Sequence, residues 1–201
     1  MKTLRRTTIA IALLVGAAAW ISPRGRLCGE TGDPAELSRL SVTADSTLNA
    51  LRTANDSQAI WLRQYLQAVV DRTATLDQCG HVSTAPDLKT AARLGLNAAA
   101  LGAPTVERAY RWARRAVALD SADRRTWRTM ASAWDQLQVL NKQPQWFATV
   151  ISCANAADGR CVLAPLDTTR VSDPQRVELG LRTLIQQRAM VDSLNRARGR
   201  P

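Results

Sequence analysis

"PQWFATVISCANAADGRCVLAPL", Pro144 to Leu166, is the stretch in which the helical period of this chain gives way. Its first part is aromatic and β-branched, and Cys161 to Leu166 answers it across an Asp-Gly turn. The spacing predicts a β-hairpin with strands at about 146–153 and 161–165. Cys153 and Cys161 then face each other as a staple on a two-stranded element too small to be stable alone. The rest of the chain reads as helix, so the fold class is mainly α: a helical bundle of about six helices with one short, disulfide-stapled hairpin.

Upstream, Asp33-Pro34-Ala35-Glu36 is a helix start, with an acid at the cap, Pro at the first helical position and Glu placed to reach back. The helix runs to about Arg52, and Leu37, Leu40, Ala44, Leu48 and Leu51 form its apolar stripe. Asn55 with Gln58 caps a second helix, in which Leu62, Leu66, Val69, Thr73 and Leu76 keep the same spacing until Cys79-Gly80. Two long helices joined by a few residues pack antiparallel. A third helix is expected from Pro86 to Leu101 and a fourth from Pro104 to Leu119. A fifth, after the Asp120–Asp123 turn, carries Trp127, Met130, Ala131, Trp134 and Leu137 toward the core. Beyond the hairpin, Asp173-Pro174 caps a last helix, interrupted or kinked near Gly180, that continues to about Asn195. Residues 28–195 therefore read as a single domain and 196–201 as a flexible tail.

Lys2, Arg5 and Arg6 precede an apolar run from about Thr8 to Ile21, and Ala17-Ala18-Ala19 fits a small-x-small cleavage site. Residues 1–19 thus read as a signal peptide. The run of about 14 residues is short of the roughly 18 of a spanning helix, and an uncleaved anchor to about residue 22 is the alternative. The expected location is the periplasm or cell envelope, with membrane contact only through the N-terminal segment if it stays uncleaved. Four cysteines in an exported chain make two disulfides, in one of three pairings. The antiparallel helix pair brings Cys28, just before the first helix, beside Cys79 at the end of the second, which leaves Cys153 with Cys161. A zinc site is disfavoured because no Cys-x-x-Cys occurs and His81 is the single histidine. No metal or cofactor is expected.

The formal net charge is +10, from 27 Lys and Arg against 17 Asp and Glu. The arginines are spread among the helices rather than blocked, and export disfavours nucleic acid, so the expected partner is an envelope protein or an anionic envelope polymer. No G-x-S-x-G, H-E-x-x-H or phosphate-cradling glycine loop occurs, and no catalytic residue is assigned. The candidate binding surface lies where the hairpin meets the fifth and last helices: Asp135, Gln145, Trp146, Phe147, Thr149 and Arg176. There the chain leaves helical periodicity and sets Trp near Arg on a rigid scaffold. Strand alternation puts one of Trp146 and Phe147 inside and the other outside.

Two resemblances accompany these readings. "AYRWARRAVALDSADRRTWRTMASAW", Ala109 to Trp134, is similar to the junction of two tetratricopeptide repeats. Ala109, Ala116 and Leu119-Asp120 fit the end of one unit, and Trp127, Met130, Ala131 and Trp134 the start of the next. Ala133 to Leu181 resembles the C-terminal half of the bacterial family called domain of unknown function 6624. That family has an Asp-Arg pair on a helix, then G-x-P-Q-x-Y-G-T-Q, a short hairpin with a Pro-Leu exit, and Arg-x-x-x-G-L. Asp135-Gln136 stand at the Asp-Arg pair and Pro144-Gln145 match. Phe147-Ala148-Thr149-Val150 occupy the Tyr-Gly-Thr-Gln stretch, and Arg176 with Gly180-Leu181 match again. The resemblance implies no activity, and the departures at Gln136, Phe147 and Val150 imply a weakened polar site. The leading expectation is an exported, non-catalytic binding or structural module. An enzyme of unrecognised class with a small polar site near the hairpin, and a tetratricopeptide-like interaction module, are the alternatives.

Overall fold

Seven α-helices and one two-stranded sheet make up the computed structural model, which describes residues 35–153 and 159–199. The expected signal peptide, Cys28 and the Asp33-Pro34 cap lie outside the described residues. Helix α1 spans Glu36–Leu51 and α2 Asp56–Gln78. Asn55 caps α2 as its sequence demands: its side chain accepts the Gln58 N–H at 2.9 Å while the Gln58 side chain accepts the Asn55 N–H at 3.1 Å. Gly80, at φ +80°, ends the helix where an L-residue with a Cβ would be strained. Arg72, late in α2, grips Glu36 at the start of α1 with two bonds of 2.6 and 3.0 Å, which sets the two helices antiparallel. Such a part-exposed pair stabilises by about 1 kcal/mol at most, so it orients the helices more than it holds them.

α3 spans Ala85–Asn97, and a 3-10 turn over Ala99–Leu101 carries the chain to Gly102. The third α-helix thus ends four residues before the expected Leu101, and the chain tightens into the 3-10 turn over that interval. α4 spans Ala103–Leu119 and α5 Arg124–Leu140. Two apolar clusters form the core. One joins Leu37, Leu76, Val82 and Leu88 to Trp112 and the alanines of α3 and α4; the other joins Ala44, Leu66, Val69, Val70 and Leu94. Alanine-rich facing surfaces let α3 and α4 approach closely, and Gly95 packs directly against Ala109 and Trp112. Trp112 closes this interface and keeps its Nε1–H satisfied by donating to Asp77 at 2.8 Å.

The hairpin exists but is shorter than its β-branched sequence suggests. β1 is Ile151–Ser152 and β2 Val162–Leu163, paired antiparallel, and the Cys153–Cys161 disulfide forms at their ends. Residues 146–150 are not strand, for a reason given below. The expected last helix breaks in two: α6 spans Asp173–Glu178 and α7 Leu184–Ala197, with Gly180 at φ +72° between them. α7 also runs two residues past the expected end at Asn195. Cys79 is disulfide-bonded as well, while its expected partner Cys28 lies outside the described residues. Disulfides persist in oxidising, non-cytoplasmic compartments. Among the described residues no helix is long and apolar enough to cross a membrane.

The α3–α4 contact makes a direct prediction. A Cβ on Gly95 would lie 3.0 Å from the Ala109 Cβ and 3.3 Å from Trp112. The Ala109 methyl is fixed to the α4 backbone and cannot turn aside, so the helices must part. Alanine gains about 1 kcal/mol over glycine in helix propensity, whereas overpacking a core costs about 1–3 kcal/mol. Gly95→Ala is therefore expected to lower the urea midpoint by a net loss of about 1 kcal/mol. A raised midpoint would show that the interface is slack.

Candidate functional site

Asp135 organises the region in which the candidate residues meet. It sits on α5 with 0% exposure, and its carboxylate faces the loop that leads from the helix toward β1. The Trp146 N–H donates to Oδ1 at 2.7 Å and the Phe147 N–H at 3.0 Å; the Thr149 N–H and hydroxyl donate to Oδ2 at 2.9 and 2.8 Å. This is why 146–150 is no strand: the N–H groups that a ladder would need converge on one side chain. To curl in this way the backbone passes through φ +61° at Ala148, a conformation that costs a residue with a Cβ about 1 kcal/mol or more. Trp146 and Phe147 accordingly do not alternate in and out; both are half-buried.

Gln145 and Arg176 complete the hold on the loop. Gln145 is fully buried, and its side chain imitates a strand residue. Its Oε1 accepts the Val150 N–H at 2.9 Å, and its Nε2 donates to the carbonyls of Val150 at 3.1 Å and Ala164 at 2.9 Å. Its own backbone pairs with Pro165 and Asp167 beyond β2. Arg176, 2% exposed, donates to the Trp146 carbonyl at 3.1 Å and to Asp173 at 3.0 Å. The peptide between Trp146 and Phe147 is thus held at both ends, its N–H by Asp135 and its C=O by Arg176. All six candidate residues are brought together. Asp135 and Arg176 act on the loop from opposite sides, and Thr149 presents its hydroxyl inward.

Other partners gave weaker signals in the sequence. Asp173 also accepts the Leu184 N–H at 2.8 Å, tying α6 to α7; the Asp173–Arg176 spacing of one helical turn was its visible trace. Asn195 on α7 clamps the Cys161 peptide, accepting its N–H at 2.6 Å and donating to its carbonyl at 3.0 Å. Trp146 packs edge-on against Trp134 with ring centres 4.8 Å apart, and Trp134 against Tyr110 at 5.2 Å. Arg170 lies over the Trp146 ring at 5.2 Å and also contacts Asp167, whose carboxyl the Thr169 side chain and backbone hold below the usual range. Apart from the short-range contacts of Asp173 with Arg176 and of Asp167 with Thr169 and Arg170, these contacts join segments distant in the chain, so local spacing gave no sign of them.

The electrostatics of Asp135 set two effects against each other. Four donors favour the carboxylate, while burial disfavours it, and burial prevails: its pKa lies above the usual carboxylate value. In chemical terms the carboxyl is enclosed and committed to the backbone, with no face free toward a substrate. Among the described residues no three His, Cys, Asp or Glu side chains gather as metal ligands would.

No protein-family model matches the chain, and no curated protein or solved structure does either. The geometry makes its own predictions. Asp135→Ala strands three N–H groups, each costing about 1–3 kcal/mol when buried without a partner, so a loss of about 3 kcal/mol or more is expected in urea unfolding. A loss below about 1 kcal/mol would mean that water replaces the carboxylate without penalty. A carboxyl whose folded pKa is raised contributes stability that is complete below the unfolded value of about 3.9 and is lost as pH rises through the folded value. Carbon-detected NMR titration should place the Asp135 midpoint above about 3.9; a midpoint below that would show that the hydrogen bonds outweigh burial.

Proposed function

We propose that this chain is an exported binding module that holds an anionic component of the bacterial envelope on the face built around the Asp135-held loop. The observation that carries this reading is where the polar groups go. Asp135, Gln145 and Arg176 are buried and bonded to backbone, so they shape a rigid loop rather than supply acid–base chemistry. What the loop leaves at the surface is a half-buried Trp146 and Phe147, with Arg170 across the Trp146 ring, a pairing suited to recognition.

Export rests on the basic, then apolar N-terminal sequence, and the Cys153–Cys161 disulfide is in keeping with it. The net charge of +10, or +7 once Lys2, Arg5 and Arg6 leave with the leader, favours an anionic partner. The resemblance to domain of unknown function 6624 gains support from Ala148, which occupies the motif's glycine position and has the positive φ that glycine would serve there.

Cell fractionation and binding test the reading together. The oxidised protein is expected in the envelope fraction and is expected to co-sediment with lipopolysaccharide at low ionic strength. Raising salt to about 0.5 M should release it, because exposed charge pairs are screened within a few ångströms there. Arg170→Gln should weaken retention several-fold. Recovery in the cytosol with free thiols, or retention indifferent to both salt and Arg170, would overturn the proposal.

A further inference from the structure

Beside the loop lies a cavity of about 450 Å³, walled by α5, residues 147–149, the Gly180–Arg182 segment and the start of α7. The volume falls in the range of about 300–1,000 Å³ typical of small-molecule sites. Its charge is one-sided. Arg128 and Arg182 line it, no carboxylate does, and both guanidinium groups are exposed with no acidic partner among the described residues. Arg128 is nevertheless anchored, because its Nε donates to the Gly180 carbonyl at 2.5 Å, which leaves its terminal nitrogens to face a ligand. Gly180 itself lies close against α5, since a Cβ at that position would come 3.1 Å from the Arg124 Cβ.

A second, independent feature points the same way. Gln187 also lines the cavity, and its side-chain amide has no hydrogen-bond partner among the described residues. Its amide nitrogen and oxygen are reached by solvent from the cavity, so they stand open to a ligand. A ligand polar atom in the cavity would satisfy it. Phe147, Leu181 and Met190 supply an apolar wall for the remainder of such a molecule.

We infer that this cavity binds an organic anion with a carboxylate or phosphate head and a compact apolar body. The arginines take the head, Gln187 donates to it, and Phe147 packs on the body. The inference rests on the proposed binding role and names its ligand class. The head belongs either to a free small molecule or to a pendant group of an envelope polymer.

Phenyl phosphate and benzoate, with benzyl alcohol as the neutral control, test it by isothermal titration calorimetry on the full oxidised chain. Both anions are expected to bind saturably at one site, and benzyl alcohol at least tenfold more weakly. Arg182→Gln, which removes a side chain that makes no bond within the described residues, should weaken the anions about tenfold with an unchanged melting curve. Gln187→Leu, similar in volume, should weaken them several-fold. Displacement of lipopolysaccharide by phenyl phosphate would assign the head to a polymer; phenyl phosphate binding without displacement would assign it to a free solute. No saturable heat up to about 10 mM, where even a millimolar site would fill, or equal binding by both variants, overturns the cavity site. Lipopolysaccharide retention that survives such a failure leaves the binding role standing. Anion binding without envelope retention does the reverse.

Discussion

A carboxylate with no exposure to solvent holds three backbone N–H groups and a hydroxyl of a single loop, and the C-terminal part of the molecule is arranged around that fact. Asp135 belongs to α5, so the loop is fixed to the helical body before the hairpin begins. Because its N–H groups point at the carboxylate, the chain cannot continue as a strand through 146–150. The sheet shrinks to two residues a side and needs its disulfide. Arg176 then holds the carbonyl of the same peptide whose N–H Asp135 holds, which draws α6 against the loop, and Asp173 passes the connection to α7. The links are buried or part-buried hydrogen bonds that share residues, so they couple the loop, α6 and α7 to one another.

The N-terminal helices follow a different logic. Their association rests on close contact of small side chains across α3 and α4, on leucines and valines of α1 and α2, and on capping groups that satisfy helix ends locally. Ion pairs such as Arg72 with Glu36 and Lys89 with Asp123 choose among packings already favoured by apolar burial. Non-directional burial forms the body, and directional polar bonds form the loop. The candidate site lies at the join between the two, where rigid helices can present a loop that has no regular structure of its own.

That join also explains the distribution of charge. Three carboxylates that bear on the loop are enclosed or paired: Asp135 with backbone, Asp173 with Arg176, Asp167 with Thr169 and Arg170. The arginines facing the cavity are left without such partners among the described residues. A basic composition that looks diffuse along the chain becomes locally one-sided at the cavity, which two arginines and no carboxylate line.

The sequence by itself determined the first five helices, the caps at Asn55 and Asp123, the hairpin's existence and its disulfide, because these depend on period, on residues three or four apart and on a short covalent loop. It put the cap of the last helix at Asp173-Pro174, whereas Ser172 with Gln175 caps α6 and Thr183 with Gln186 caps α7. Asn55 with Gln58, Gly80 and Gly102 mark boundaries through local backbone chemistry, and the structure places helix ends there. The six candidate residues were also legible as a group, since the period breaks at their segment. Their roles were not. Trp146, Phe147 and Thr149 carry strand-like side chains, and nothing nearby in the chain reveals that Asp135, eleven residues earlier on another element, competes for their N–H groups. The split of the last helix was half visible at Gly180, but Asp173 as the tie across the break was not. Only the tertiary structure decided these points, because a buried carboxylate binds whichever donors folding brings to it, and that proximity is a property of helix packing rather than of spacing along the chain.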